Sequence, residues 1–312
     1  MTPEYQAIAQ EIDAKLLSFN EEQVPLPGIT DLANRECLVA QIIDSIKRVK
    51  YVTTIRDRNV SAMVADATNM AFDPIKAASW HIGQNNLDEA FWLSFLSIHF
   101  GKNGRTGWAL TQAIYGGFES PAFWNWPRIV QNPESFRDWL RQNEARLRDT
   151  GSFGNHRKYQ SLKADYQNGT ANTLISYVEW VNHEGSHLGM INSIIEDVGN
   201  DPKVLFNALY KSMNSVIGFG RTARFDYLTM IGKLGLVNIV PDSTYMQGAT
   251  GPLDGARLLF TGQTNGVMRR PVLEQNLAQL EEHLDLYFGM QILEDSLCNW
   301  QKNPDQFQHF RG

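Results

Sequence analysis

Apolar residues return every three or four positions along most of the chain, the period of a helix buried on one face. Ile8, Ile12, Leu16 and Phe19 fall together on a helix over 5–19, and Leu38, Ile42, Ile46 and Val49 on one over 37–51. The segment 88–100 is denser, with Phe91, Trp92, Phe95, Leu96 and Ile98, and predicts a buried helix. Further helices are predicted over 106–115, 134–149, 173–198, 202–215, 225–234 and 272–300. Two stretches interrupt the pattern. Residues 151–169 are polar and rich in Gly and Asn, which marks a loop or linker, and 248–255 is dense in turn residues. No strand alternation lasts long enough for a large sheet, and no repeat or low-complexity tract is present. The expected class is all-α, mostly helical, compatible with two lobes around a cleft. The expected organisation is a helical segment over 1–74 ahead of a catalytic domain over 75–312, unless the two are continuous.

Composition narrows the class. Hydrophobic content of 43% against 20% charged residues describes a folded globular chain. No apolar run approaches membrane-spanning length, and Met1-Thr-Pro-Glu-Tyr5 lacks the basic start of a signal peptide. With only Cys37 and Cys298, a disulfide framework is not indicated, so a cytoplasmic location is expected. A net charge of −6 argues against a general nucleic-acid coat but leaves local contact to local patches. The candidates are Lys47, Arg48, Lys50, Arg56 and Arg58; Lys102 and Arg105; Arg221, Arg224 and Lys233; and Arg269 with Arg270.

The richest chemistry lies in Gly218-Phe-Gly-Arg-Thr-Ala-Arg-Phe-Asp226. Gly218 and Gly220 allow a tight turn with exposed N–H groups, and Arg221 and Arg224 add fixed positive charge. Asp226 is expected in the first turn of a helix that buries Leu228, Ile231 and Leu234 and stops at Gly235. A phosphate-gripping turn followed by one carboxylate suits an enzyme that cuts a bond near a nucleic-acid backbone. The plainer account is an acid that favours a helix start beside solvated arginines. Asp88 and Glu89, beside Asn85 and Asn86, are the second acidic candidates, with a simple helix-start pair as their plainer account. Trp80, Trp92, Trp108, Trp124, Trp126, Phe91 and Phe123 can stack an extruded base, although helical spacing favours the core for most of them. His81 and His99 can reach a phosphate or base, or simply pack. His183-Glu184-Gly185-Ser186-His187 matches the two-histidine zinc-peptidase pattern, which needs both rings on one helix face. No third ligand follows and Gly185 weakens the helix, so no metal or other cofactor is expected. Glu184 and His187 are then candidates to line a base pocket.

Phe225-Asp226 and Lys233-Leu234-Gly235-Leu236 resemble the catalytic helix of the helix-hairpin-helix DNA glycosylases, which runs apolar-Asp, spaced apolar residues, a basic residue and Leu-Gly. In that superfamily the glycine hairpin lies well upstream of the acid, whereas Gly220 is only a few residues away, so the hairpin's DNA contacts do not carry over. More of the chain is similar to a narrower family, alpha-glutamyl/putrescinyl thymine pyrophosphorylase clade 3. Three segments carry the resemblance: Asn86 to Lys102 with Thr106-Gly-Trp108; Phe219 to Leu236 with Gly248 to Phe260; and Glu274 to Trp300. That family looks distantly related to DNA glycosylases and includes an anti-phage glycosylase that removes glucosylated hydroxymethylcytosine. The resemblance implies an enzyme on double-stranded phage DNA, with a bulky, sugar-modified pyrimidine as its target; no obligate protein partner is evident in the sequence. It also favours Asp226 as the catalytic acid. A pyrophosphorylase or transferase, as the family name says, a non-enzymatic DNA-binding defence module and a zinc peptidase remain the rival readings.

Overall fold

The computed structural model describes residues 2–118 and 124–310. Among them are fourteen α-helices and no strand, so the fold is all-α. No helix of the described residues is long and apolar enough to cross a membrane.

The chain forms two compact units, drawn differently from a division at residue 74. The first comprises residues 1–51 and 240–311. It contains α1 (Pro3–Glu22), the larger part of α2 (Leu32–Asp57), α12 (Gly251–Thr261), α13 (Arg270–Leu284) and α14 (Gly289–Trp300). Its core is aliphatic: Leu16, Ile42, Leu259, Leu277, Leu280 and Leu297 are fully buried or nearly so. The turn-rich stretch 248–255 contributes helix rather than loop, because α12 begins at Gly251 with Pro252 in its first turn. Gly255 serves packing there: a Cβ would stand 2.3 Å from the Leu297 carbonyl oxygen of α14. The single helix expected over 272–300 is two, since Asp285 and Phe288 take left-handed φ of 51° and 59° between α13 and α14. Both halves bury apolar residues in one core, which is why the periodicity runs through the break.

The second unit comprises residues 52–239. It contains α3 (Pro74–Gly83), α4 (Leu87–Phe100), α5 (Ala109–Gly116), α6 (Trp126–Gln131), α7 (Pro133–Thr150), α8 (Thr170–Asn182), α9 (His187–Val198), α10 (Pro202–Ser212) and α11 (Arg221–Lys233). The expected helix 88–100 is α4, buried along nearly its whole length and packed on α3, α9 and α11. Periodicity did not predict α3 and α6, both short, although Asp73 and Asn125 cap them by accepting hydrogen bonds from backbone amides. Helix α5 starts at Ala109 rather than 106, because Asn103 turns the chain by accepting from the Arg105 and Thr106 amides. The helix expected over 173–198 is also two. Gly185 takes φ +77°, and Ser186 caps α9 by accepting from the Gly189 amide.

Candidate active site

Helix α11 begins at Arg221, with Gly220 at its N-cap, so Asp226 lies in the second turn and not the first. From Tyr227 to Lys233 every residue is buried, whereas Arg221, Thr222, Arg224 and Asp226 are half-buried. The open side of α11 is therefore confined to its N-terminal half. Gly235, at φ +76°, ends the helix as its position predicts, and the Leu236 amide closes on the Ile231 carbonyl.

The Asp226 side chain is 34% exposed and pairs with Arg157, whose Nη2 stands 2.7 Å from Oδ2. The Arg157 side chain is only 8% exposed, and its Nε donates to the Ile98 carbonyl of α4 at 2.8 Å. A planar guanidinium held at two of its nitrogens is a fixed orienter, so the carboxylate is set in place before any ligand arrives. Arg157 belongs to the 151–169 segment, which has one 3₁₀ turn over Asn155–Arg157 and no other regular helix. The pairing joins residues 69 apart, and no local feature of the sequence points to it.

A glycine turn precedes α11. Gly218 takes φ +69°, and a Cβ there would meet Thr173 Oγ1 at 3.0 Å. The Ile217 amide donates to Ser176 Oγ at 2.9 Å, and Gln160 Nε2 donates to the Gly218 carbonyl at 3.3 Å. The turn is thereby fastened to α8 and to the 151–169 segment. Gly220 is exposed, with open space where a Cβ would stand. Arg224 donates to the Tyr210 carbonyl and to Asn214 Oδ1 and lies over the Tyr210 ring, while Arg221 lies 5.9 Å from the Phe225 ring centroid. Lys233 is buried and stands apart from this open, basic side.

Asp88 and Glu89 have different surroundings. Asp88 Oδ1 accepts from the His187 amide at 2.9 Å and from His187 Nδ1 at 2.6 Å, which places the acid at the N-terminus of α9. Burial raises its pKa, but the contacts with His187 outweigh this and hold the carboxyl below its ordinary value. Burial also lowers the His187 pKa, against the pull of Asp88, so the ring is neutral at neutral pH. The carboxylate can only accept, which puts the ring proton on Nδ1 and leaves Nε2 to accept from Tyr177 at 2.8 Å. Tyr177 in turn accepts from Tyr227 at 2.7 Å. This chain of polar groups runs through an aromatic core, with His187 stacked 4.7 Å from Phe91 and Tyr177 3.7 Å from Phe95.

Glu89 is buried and accepts from the Tyr115 hydroxyl at 2.8 Å and the Trp126 amide at 2.9 Å. Burial pushes its carboxyl up to about 7 in spite of both bonds. His99 is buried against Thr170 at 3.1 Å, and burial, with the nearby Arg157 charge, lowers its pKa to about 3. Trp92 donates to the Trp124 carbonyl at 2.7 Å inside the core, so neither Trp92 nor His99 is available at the surface. Trp124 and Trp126 are buried too, as the helical spacing favoured.

Trp80 and His81 are half-buried and meet edge to face at 4.8 Å, with Asn86 Nδ2 3.3 Å from the histidine Nδ1; burial lowers His81 to about 4. Asn85 and Asn86 are exposed in the turn before α4. Lys102 and Arg105 are exposed in the turn after it, where Lys102 lies 5.9 Å from the Trp108 ring and Trp108 donates to Asp73. Phe123 falls outside the described residues. The zinc pattern loses its premise: His183 and Glu184 lie exposed in the break between α8 and α9, while His187 is buried on the far side of Gly185. The two rings do not share a helix face, and no cluster of three metal-ligating side chains occurs among the described residues.

A family model described as alpha-glutamyl/putrescinyl thymine pyrophosphorylase clade 3 matches residues 33–312. No curated protein and no solved structure is a significant match to the chain.

Proposed function

The chain belongs to the alpha-glutamyl/putrescinyl thymine pyrophosphorylase clade 3 family, and on that premise we propose that it is a DNA glycosylase that releases a modified base. The observation that carries this reading is the Asp226–Arg157 pair: a partly exposed carboxylate, fixed by a buried guanidinium, beside a basic glycine turn. Base release breaks the bond between C1′ and the base nitrogen, whose electron pair leaves with the base. Water adds to C1′ and gives up a proton, and the departing base is protonated from solvent. Positive charge develops on the sugar in between, and a preorganised carboxylate stabilises it and orients the water. Gly218, Gly220, Arg221 and Arg224, with Lys102 and Arg105, would hold phosphates. The acidic chain as a whole limits non-specific attraction and leaves selection to contacts with the extruded base. We propose a sugar-modified hydroxymethylpyrimidine in phage DNA as the substrate, with host DNA spared.

The family description favours one second reading, a pyrophosphorylase or transferase acting on pyrophosphorylated hydroxymethyluracil in DNA. One experiment separates the two. The protein is incubated with ordinary, hydroxymethylated, glucosylated and pyrophosphorylated DNA, and abasic sites, free base and pyrophosphate are measured. Free base and abasic sites from the glucosylated DNA alone are expected. Pyrophosphate release without base loss would establish the second reading instead, and equal base release from ordinary DNA would refute the modified-base specificity.

A further inference from the structure

Unlike a flexible linker, the 151–169 segment is fastened at many points. The Gly154 amide donates to the Phe100 carbonyl at 2.8 Å, Arg157 is buried against Ile98 and Asp226, and Gln160 holds the glycine turn. Farther along, the Ala164 amide donates to Glu144 at 2.8 Å, Asp165 pairs with Arg141 at 2.6 Å, and Thr170 donates to the Ser161 carbonyl at 2.9 Å. On this pinned segment Tyr159 is 90% exposed, two residues from Arg157, with Lys158 Nζ 5.2 Å from its ring centroid. Beside it opens a cleft of about 340 Å³, with Phe153 and Leu162 as its apolar lining and Lys158, Gln160, Ser161 and Arg148, the last paired with Glu144 at 3.1 Å, among its polar groups.

A rigidly mounted, exposed aromatic ring beside cations is the arrangement that binds a nucleic-acid strand. The ring takes a base face, the cations take the neighbouring phosphates, and rigidity lowers the entropy cost of binding. Burying the ring against the chain itself would be the default for a folded protein. Here the bonds on either side of Tyr159 fix the backbone that carries it, and the ring stands exposed.

We propose that the 151–162 segment is a DNA-strand platform, with Tyr159 stacking on an unpaired base and Arg148 and Lys158 gripping phosphate in the adjoining cleft. The proposal rests on the glycosylase reading for its ligand class, DNA. It extends that reading by assigning the strand contact to a segment that directly holds the proposed catalytic acid through Arg157.

The test uses the full chain and a short, labelled, unmodified deoxyoligonucleotide, single-stranded and as its duplex, read by fluorescence anisotropy over a salt series. Tyr159→Ala is expected to weaken single-strand binding roughly tenfold, and Tyr159→Phe to bind within about twofold of the wild type, because the ring face and not the hydroxyl does the stacking. Arg148→Ala with Lys158→Ala should lower the slope of log K against log salt by roughly 1. Single-strand binding by Tyr159→Ala equal to the wild type would overturn the platform, as would Tyr159→Phe binding as weakly as Tyr159→Ala. A free deoxynucleoside monophosphate that displaces the oligonucleotide at the same concentration would show an isolated-nucleotide site and also overturn it. No bond is broken in this assay. Failure of base release with these binding effects intact would therefore sink the glycosylase reading alone.

Discussion

Two regions of the second unit each hold a carboxylate against a nitrogen partner, and they use it in opposite ways. At the start of α4, Asp88 faces a neutral, fully buried histidine, and the polarity continues inward through Tyr177 to Tyr227. On α11, Asp226 faces a buried guanidinium, and its surroundings continue outward to a basic turn and an exposed tyrosine. The first arrangement satisfies polar groups inside an aromatic core, where an unpaired one would be costly. Both carboxylates are about equally exposed, 35% for Asp88 and 34% for Asp226, and the second differs in having a partner of fixed charge. A carboxylate close to a positive or polar partner is therefore not enough to assign chemistry; where the rest of its network leads separates the two.

Arg157→Gln offers the largest break. It removes the charge and the fork that position Asp226, and proposed base release should fall roughly a thousandfold, measured in single turnover. Arg157→Lys should rescue little, because an ammonium cannot span Asp226 and the Ile98 carbonyl in the same planar geometry. Recovery of most of the rate in the lysine variant would show that charge alone matters.

His187→Ala should act on the other region, and on stability. It empties a stacked, buried site and strands Asp88 and Tyr177, at a cost of about 4 kcal/mol in denaturant titration. Turnover per folded molecule should change by less than about threefold. A loss comparable to that of Arg157→Gln would tie the inner chain to the chemistry and erase the contrast.

Glu89 sharpens the picture through pH. Its folded pKa is raised from 4.5 to about 7, so the native state holds a proton that the unfolded chain releases. Stability from this group is full below about 4.5 and is lost as pH rises through about 7, by on the order of 3 kcal/mol. Glu89→Gln should flatten that part of the stability–pH curve. An unchanged slope would place the titration elsewhere.

The smallest expected effect belongs to the glycine turn. Arg221→Ala with Arg224→Ala should weaken binding to all DNA sequences alike, by roughly tenfold at moderate salt, and flatten its salt dependence. An unchanged salt slope would remove the turn from the DNA interface.

Much of the helical architecture was legible because a 3.6-residue period survives wherever one face is buried, as in α1 and α7, while α4, buried on all sides, showed as a dense apolar run. Breaks were not legible where apolar spacing continued across them, at Gly185 and between Asp285 and Phe288. Those depend on single left-handed residues that periodicity does not weigh. At the site, the glycines and Asp226 could be read from local sequence. Arg157 could not: nothing local separates a buried arginine from the exposed Lys158 beside it, and its partner is 69 residues away. The inward role of Asp88 was hidden for the same reason, since His187 lies 99 residues beyond it.

The most direct test of the central claim compares Asp226→Asn with Asp88→Asn for base release from glucosylated DNA, with binding and folding measured on the same preparations. The account predicts that Asp226→Asn loses roughly a thousandfold or more in rate while binding DNA nearly as the wild type does, because only the transition state carries the sugar's positive charge. Asp88→Asn should lose stability but keep its rate within about tenfold. Near-wild-type release by Asp226→Asn, or an equal loss in both variants, would contradict the account.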